Sequence, residues 1–183
     1  MMIAMKKYIA LLRGVNVGGK NKIAMPELKA AFEQRGFKKV ATYINSGNVM
    51  FESELDEDSL KTICEKLVFE TFDLRIPICI ISVNELKDAL SHAPDWWDNS
   101  PDNKHNAIFV IQPHLAQDII SKIGDTKPEY EKISFHGKVI FWSAPIRTYQ
   151  RTRLTKIVDD KSAYNAITIR NSNTTLKLAG YDK

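Results

Sequence analysis

The residues of this chain best suited to chemistry fall in two polar segments. One is Gly14-Val15-Asn16-Val17-Gly18-Gly19-Lys20-Asn21-Lys22, directly after Arg13, and the other is Asn45-Ser46-Gly47-Asn48. Glycine backbone N–H groups, amide side chains and lysine charge together are the inventory of an anion site. The plainer alternative is that the glycines only permit positive φ and the asparagines only shape turns. The first segment comes within one residue of the P-loop pattern G-x-x-x-x-G-K-[ST]. It departs where the chemistry matters: Asn21 has no hydroxyl for Mg²⁺, and Pro26, which suits a helix start, comes well after Lys20. A P-loop runs straight into its helix, and no apolar strand here ends in the Asp that would hold the metal. NTPase chemistry is therefore not expected.

Other catalytic arrangements find little support. His92, His105, His114 and His136 fall on expected helix ends, a linker and a turn, without metal-ligand spacing, so they are expected at the surface and no metal is expected. Ser46 lacks the flanking glycines and following helix of a nucleophile elbow. Cys64 and Cys79 sit in apolar patterns and suit small buried hydrophobes in a reducing compartment. Trp96 and Trp97 could stack on a ring or base, though such a pair more often pins a linker to a core. No cofactor is implied.

The elements that must position the polar segments follow from periodicity. Residues 8–15 form an apolar run in strand style, and a helix then runs from Pro26 to Gly36 with Leu28, Ala31 and Phe32 as its stripe. Two short β-rich runs, 40–44 and 49–51, flank Asn45-Ser46-Gly47-Asn48, which is hairpin turn chemistry. The next helix is the best marked. Leu60, Ile63, Cys64, Leu67, Val68 and Phe72 repeat at helical spacing behind Asp56, Glu57 and Asp58. Residues 76–81 suit a buried strand, and Asn84 can cap a short helix.

After an irregular stretch the order recurs: strand 107–111, helix 115–123, and a hairpin of 133–135 and 139–142 around His136, Gly137 and Lys138. A helix over 152–158, a strand over 166–169 and a last helix capped by Asn173 complete the match. The expectation is an α+β protein of two ferredoxin-like halves, residues 1–93 and 106–183, joined by a linker at 94–105. In such a unit the first and third strands are central, and the loop after the first strand shares a sheet end with the hairpin turn. Residues 14–22 should therefore lie beside residues 45–48.

Composition sets the surroundings. With 44% hydrophobic residues the chain can build a sizeable core, and its net charge is +4. From Arg147 onward basic residues outnumber acidic ones eight to three, which could favour phosphates but is commonly just a solvated face. Lys6 and Lys7 before an apolar run imitate a secretory leader until Arg13 ends the run, and no stretch reaches membrane-span length. A cytoplasmic protein without membrane contact is expected. An RNA-recognition use of the fold is disfavoured, because the third strands lack spaced aromatics, and an apolar outer face implies a covering layer.

Three segments carry a family resemblance: residues 11–22; Thr42-Tyr43-Ile44-Asn45-Ser46-Gly47-Asn48-Val49-Met50-Phe51; and Thr168-Ile169-Arg170-Asn171-Ser172-Asn173-Thr174. They resemble the bacterial family known as domain of unknown function 1697, over nearly the whole chain. At the third segment that family has Trp where this chain has Ser172. The resemblance implies a ferredoxin-like α+β fold and no particular activity, substrate or cofactor.

The functional expectation is a binding protein for a phosphate- or carboxylate-bearing ligand, with nucleotides and nucleic acids included. Its ligand residues would be Arg13, Asn16, Gly18, Gly19, Lys20, Asn21, Lys22, Asn45, Ser46 and Asn48, joined by Arg170, Asn171 and Asn173. The alternative is a small-molecule enzyme that uses the same cluster to orient its substrate.

Overall fold

A computed structural model describes residues 4–180. Strand β1 (Lys6–Leu12) is followed by helix α1 (Met25–Gln34), whose first turn holds Pro26 and which stops before Gly36 at φ +102°. Strands β2 (Lys38–Tyr43) and β3 (Asn48–Ser53) form the expected hairpin, and helix α2 (Glu57–Phe72) leads to β4 (Ile78–Ser82). The sheet order is β2-β3-β1-β4, antiparallel throughout, so β1 and β3 are central.

Side chains alternate across this sheet. Tyr8, Ala10 and Leu12 of β1 meet Leu28 and Phe32 of α1 and Leu60, Cys64 and Val68 of α2 in one core. Ile9 and Leu11, on the opposite face, are also fully buried. Asp56 caps α2 by accepting the Ser59 N–H at 2.8 Å. Helix α3 (Val83–Ser91) differs from expectation at its start. Its cap is Ser82 rather than Asn84: Ser82 Oγ accepts from the Glu85 N–H at 3.0 Å and Glu85 Oε2 accepts from the Ser82 N–H at 3.2 Å, a reciprocal capping box.

The second sheet repeats the plan with β5 (Asn103–Val110), β6 (Lys132–His136), β7 (Val139–Pro145) and β8 (Ile167–Asn171) in the order β6-β7-β5-β8. Helix α4 (Ala116–Ile123) places Ile119 and Ile123 on Ile108, Ile140 and Trp142 in its core. Three details depart from the sequence expectation. The helix over 152–158 is instead a pair of 3₁₀ turns, Tyr149–Arg151 and Leu154–Asp159, followed by the short α5 (Lys161–Tyr164). The last helix, α6 (Ser172–Ala179), is capped not by Asn173 but by Asn171, whose Oδ1 accepts the Thr174 N–H at 2.8 Å. The expected linker at 94–105 ends inside β5, because Asn103, Lys104 and His105 already pair with Pro145, Ala144 and Ser143.

The chain divides into two compact units at Glu85/Leu86, and residues 178–180 belong with the first. Each unit is an α+β arrangement of ferredoxin-like type. Among the described residues no helix is long and apolar enough to cross a membrane.

Candidate functional site

At the end of β1 the chain forms a small hairpin. Val17 and Lys20 pair as an antiparallel bridge, with the Lys20 N–H donating to the Val17 carbonyl at 3.0 Å. Between them Gly18 and Gly19 have φ of +58° and +74°. Positive φ at both central residues is the condition of a type I′ turn, which only glycine meets without strain. One step out, the Asn16 N–H donates to the Asn21 carbonyl at 3.2 Å. The resemblance to a P-loop thus ends in geometry: the glycines make a tight two-residue turn, and α1 begins only at Met25.

Asn16 ties this hairpin to the second polar segment. Its Nδ2 donates to the Asn45 carbonyl at 2.8 Å and to the Ile23 carbonyl at 2.9 Å, while its Oδ1 accepts the Ile23 N–H at 2.9 Å. Gly47 completes the junction, since its carbonyl accepts the Leu12 N–H at 2.9 Å. Residues 14–22 and 45–48 therefore share one rim of the first sheet, as antiparallel topology requires.

The asparagines serve this framework. Asn21 Nδ2 donates to the Gly14 carbonyl at 3.1 Å, and the fully buried Asn48 donates to the Tyr43 carbonyl and to Ser46 Oγ at 3.0 and 2.9 Å. Gly18, Gly19, Lys20, Asn21 and Lys22 are exposed, while Arg13 is half-buried and its N–H donates to the Pro77 carbonyl.

The third segment lies in the second unit. Arg170 is buried, and its Nη1 donates to Thr168 Oγ1 at 2.8 Å and to the Ile169 carbonyl at 3.0 Å. Ser172 donates to Asp98 Oδ1 at 2.6 Å, and Asn173 is exposed.

His92 and His114 are exposed as expected, and one histidine departs from the sequence expectation. His105 is buried, not superficial. Its Nε2 lies 2.8 Å from the Ser100 carbonyl, so that nitrogen donates, and Nδ1 accepts from Ser143 Oγ at 2.6 Å. His92 and His136, which have no metal-ligand spacing in the sequence, stack face to face with ring centroids 3.8 Å apart. The i, i+4 spacing of Asp88 and His92 signals their shared helix face, but nothing local signals His136. Trp97 pins its segment: its Nε1 donates to the Asn106 carbonyl at 2.9 Å and its ring meets Phe141 edge-on.

A cleft of about 470 Å³ at the opposite rim of the first unit is lined by Lys6, Tyr8, Asp56, Glu57, Asp58, Ser82 and Glu85. Burial, reinforced by Glu57, Asp56 and Glu85, holds the Tyr8 phenol above its ordinary value. The lining sets the carboxylates of Asp56, Glu57, Asp58 and Glu85 against the one cation of Lys6.

A family model described as "Protein of unknown function (DUF1697)" matches residues 5–141, which takes in both polar segments of the first unit and ends before residues 168–174. A solved structure of a conserved bacterial protein from Streptococcus pneumoniae is similar to this chain with a TM-score of 0.86 and 30% identity, covering 98% of this chain and 100% of the other. No curated protein matches. With most of its length accounted for by that model, the chain belongs to the DUF1697 family.

Proposed function

We propose that this protein binds a small anionic ligand, bearing phosphate or carboxylate groups, at the rim built by residues 14–22 and 45–48. The build of the hairpin carries the proposal. Asn16 commits its carboxamide to Ile23 and Asn45, so the tip is held in place while Gly18, Gly19, Lys20 and Lys22 stay open to solvent. In a two-residue turn the N–H groups of the central residues do not enter the ladder and can donate to an acceptor from solvent. An added Cβ at either glycine would meet no atom within 4 Å, so a ligand can approach the backbone closely. Lysine charge beside such donors favours phosphate or carboxylate. Arg170 and Asn171 are left out, because their side chains are used within the second unit. Cys64 and Cys79 are buried thiols rather than a disulfide, which supports a reducing, cytoplasmic setting.

The test is a thermal-shift screen with inorganic phosphate, nucleotides, sugar phosphates, dicarboxylates and short RNA. A ligand at 100 times its dissociation constant adds about 2.7 kcal/mol, or roughly 5–10 °C for a chain of this size. The shift should be lost in the Lys20→Ala, Lys22→Ala double variant. No shift with any compound, or an equal shift in that variant, would refute the proposal.

A further inference from the structure

We propose that Asp88, His92 and His136 form a surface site for a divalent ion of the zinc, nickel or copper type. The three ligands come from two segments of the second unit. Asp88 lies in the last turn of α3 and His92 directly follows it, held by its own N–H on the Ala89 carbonyl at 3.0 Å. Their i, i+4 spacing puts both side chains on one face of the helix end. His136 is the last residue of β6, and Gly137, at φ +58°, turns the hairpin there and brings the imidazole onto that face.

Donor atoms of the three residues already lie close together. One ligand atom from each of the three residues can be chosen so that all lie within 4.8 Å of one another. Asp88 Oδ2 and His136 Nε2 are 2.9 Å apart, close to the roughly 3.3 Å between two donors bound to one tetrahedral ion at bonds of about 2.0–2.2 Å. As the rings stand they stack with centroids 3.8 Å apart, so ligation requires the exposed His92 ring to turn out of the stack until its in-plane lone pair meets the ion. Second, the tautomer of His92 is set for ligation. Its Nδ1 lies 2.9 Å from the Asp88 carbonyl oxygen, which can only accept, so Nδ1 carries the proton and Nε2 presents its lone pair. A backbone carbonyl on the far nitrogen is the usual support of a metal-bound imidazole. In the metal-free pair the proton on His136 Nε2 faces Asp88, and on ligation that nitrogen takes the ion in its place while Nδ1 holds the proton. Two imidazoles and one carboxylate favour zinc, nickel or copper over calcium or magnesium, which prefer all-oxygen shells. Asp88 and His92 are exposed, so the ion enters from solvent and keeps water in its remaining positions. Once bound it would clamp the end of α3 to the β6–β7 hairpin.

The experiment is calorimetric titration of tag-free protein with Zn²⁺ and Ni²⁺, with Mg²⁺ as comparison. One Zn²⁺ per chain should bind, Mg²⁺ should not, and His92→Gln, His136→Gln or Asp88→Asn should each weaken binding tenfold or more. Circular dichroism of the variants establishes that they are folded. As a measurement independent of substitution, electron paramagnetic resonance of the Cu²⁺-loaded wild type should show hyperfine coupling to two imidazole nitrogens. Absence of saturable binding, unchanged affinity in the His92→Gln, His136→Gln double variant, or a copper spectrum without two nitrogens would each overturn the assignment.

Discussion

The carboxamide of Asn16 reaches the backbone of Asn45, 29 positions further along the chain, at 2.8 Å. That single side chain also closes its own loop through both polar groups of Ile23. The rim of the first unit is thus organised by one residue in the left-handed region, at φ +56°, where asparagine is the best tolerated of the non-glycine residues.

Replacing it tests the framework. Asn16→Ala leaves the partly buried Ile23 N–H without its acceptor and puts a methyl side chain at positive φ, which together should cost about 2–4 kcal/mol in urea denaturation. Asn16→Gly removes the conformational share, so it should recover roughly 1 kcal/mol of that loss. Equal stability of the alanine variant and the wild type would show that the loop stands without this bridge.

Gly47 offers a sterically separate test of the same junction. A Cβ there would sit 2.9 Å from Leu12 Cβ and 3.3 Å from Val15 Cβ at φ +81°. Leu12 and Val15 are buried, and the Gly47 carbonyl is tied to the Leu12 N–H, so neither side yields easily. Gly47→Ala should destabilise by about 2–4 kcal/mol, whereas Gly18→Ala, with the same sign of φ and open space, should cost only about 1–2. Melting temperatures of the two variants compare them directly.

Why some of this was legible beforehand and some was not has a physical basis. Helix α2 declares itself because its buried residues Leu60, Cys64, Leu67 and Val68 repeat at helical spacing behind a capping Asp56. The proximity of the two polar segments follows from antiparallel sheet topology alone. The stretch after β7 carries no such period. Its 3₁₀ turns are held by Glu131, more than twenty positions away, and no local pattern reports such a partner. The meeting of His92 and His136 is opaque for the same reason, since it depends on where a hairpin tip lands. At α6 the cap is Asn171 rather than Asn173, and composition does not separate two asparagines two positions apart.

Acid stability should be set in part by two capping carboxylates. The Ser59 backbone N–H and hydroxyl hold the Asp56 carboxyl below its ordinary value, and the Ser162 hydroxyl with the Ala163 N–H does the same for Asp160. A depressed carboxyl stabilises the fold above the unfolded carboxylate value, near pH 3.9, and that contribution is lost as pH falls through the lower folded value. Asp56→Asn and Asp160→Asn keep a capping oxygen but cannot titrate. The double variant should therefore show a shallower loss of stability from pH 5 to pH 2 in denaturant titrations, and an unchanged acid slope would refute the assignment.

Cys64 should be inert in the folded protein. Burial pushes its thiol up to about 12, and the nearby Glu65 acts in the same direction. Since the thiolate is the reactive form, a thiol reagent at neutral pH should label neither Cys64 nor the equally buried Cys79 until denaturant is added. Rapid labelling of the native protein would mean that the core of the first unit opens far more readily than its packing implies.

Glu131 organises the stretch after β7, and its removal should strongly destabilise the second unit. Its buried carboxylate accepts from the Trp142 Nε1–H at 3.3 Å, the Leu154 N–H at 3.2 Å, the Lys127 N–H at 3.3 Å and the Arg153 N–H. All four are donors, so an amide at this position would set an N–H group against at least one of them. Glu131→Gln should cost about 1–3 kcal/mol and Glu131→Ala about 3–5, because alanine leaves several buried donors unpaired. The same variants should change the near-ultraviolet circular dichroism and fluorescence of Trp142, whose indole loses its partner, while the first unit keeps its stability. A Glu131→Gln protein within about 0.5 kcal/mol of wild type would show that the 3₁₀ segment is held by Leu154 and Ile157 packing alone.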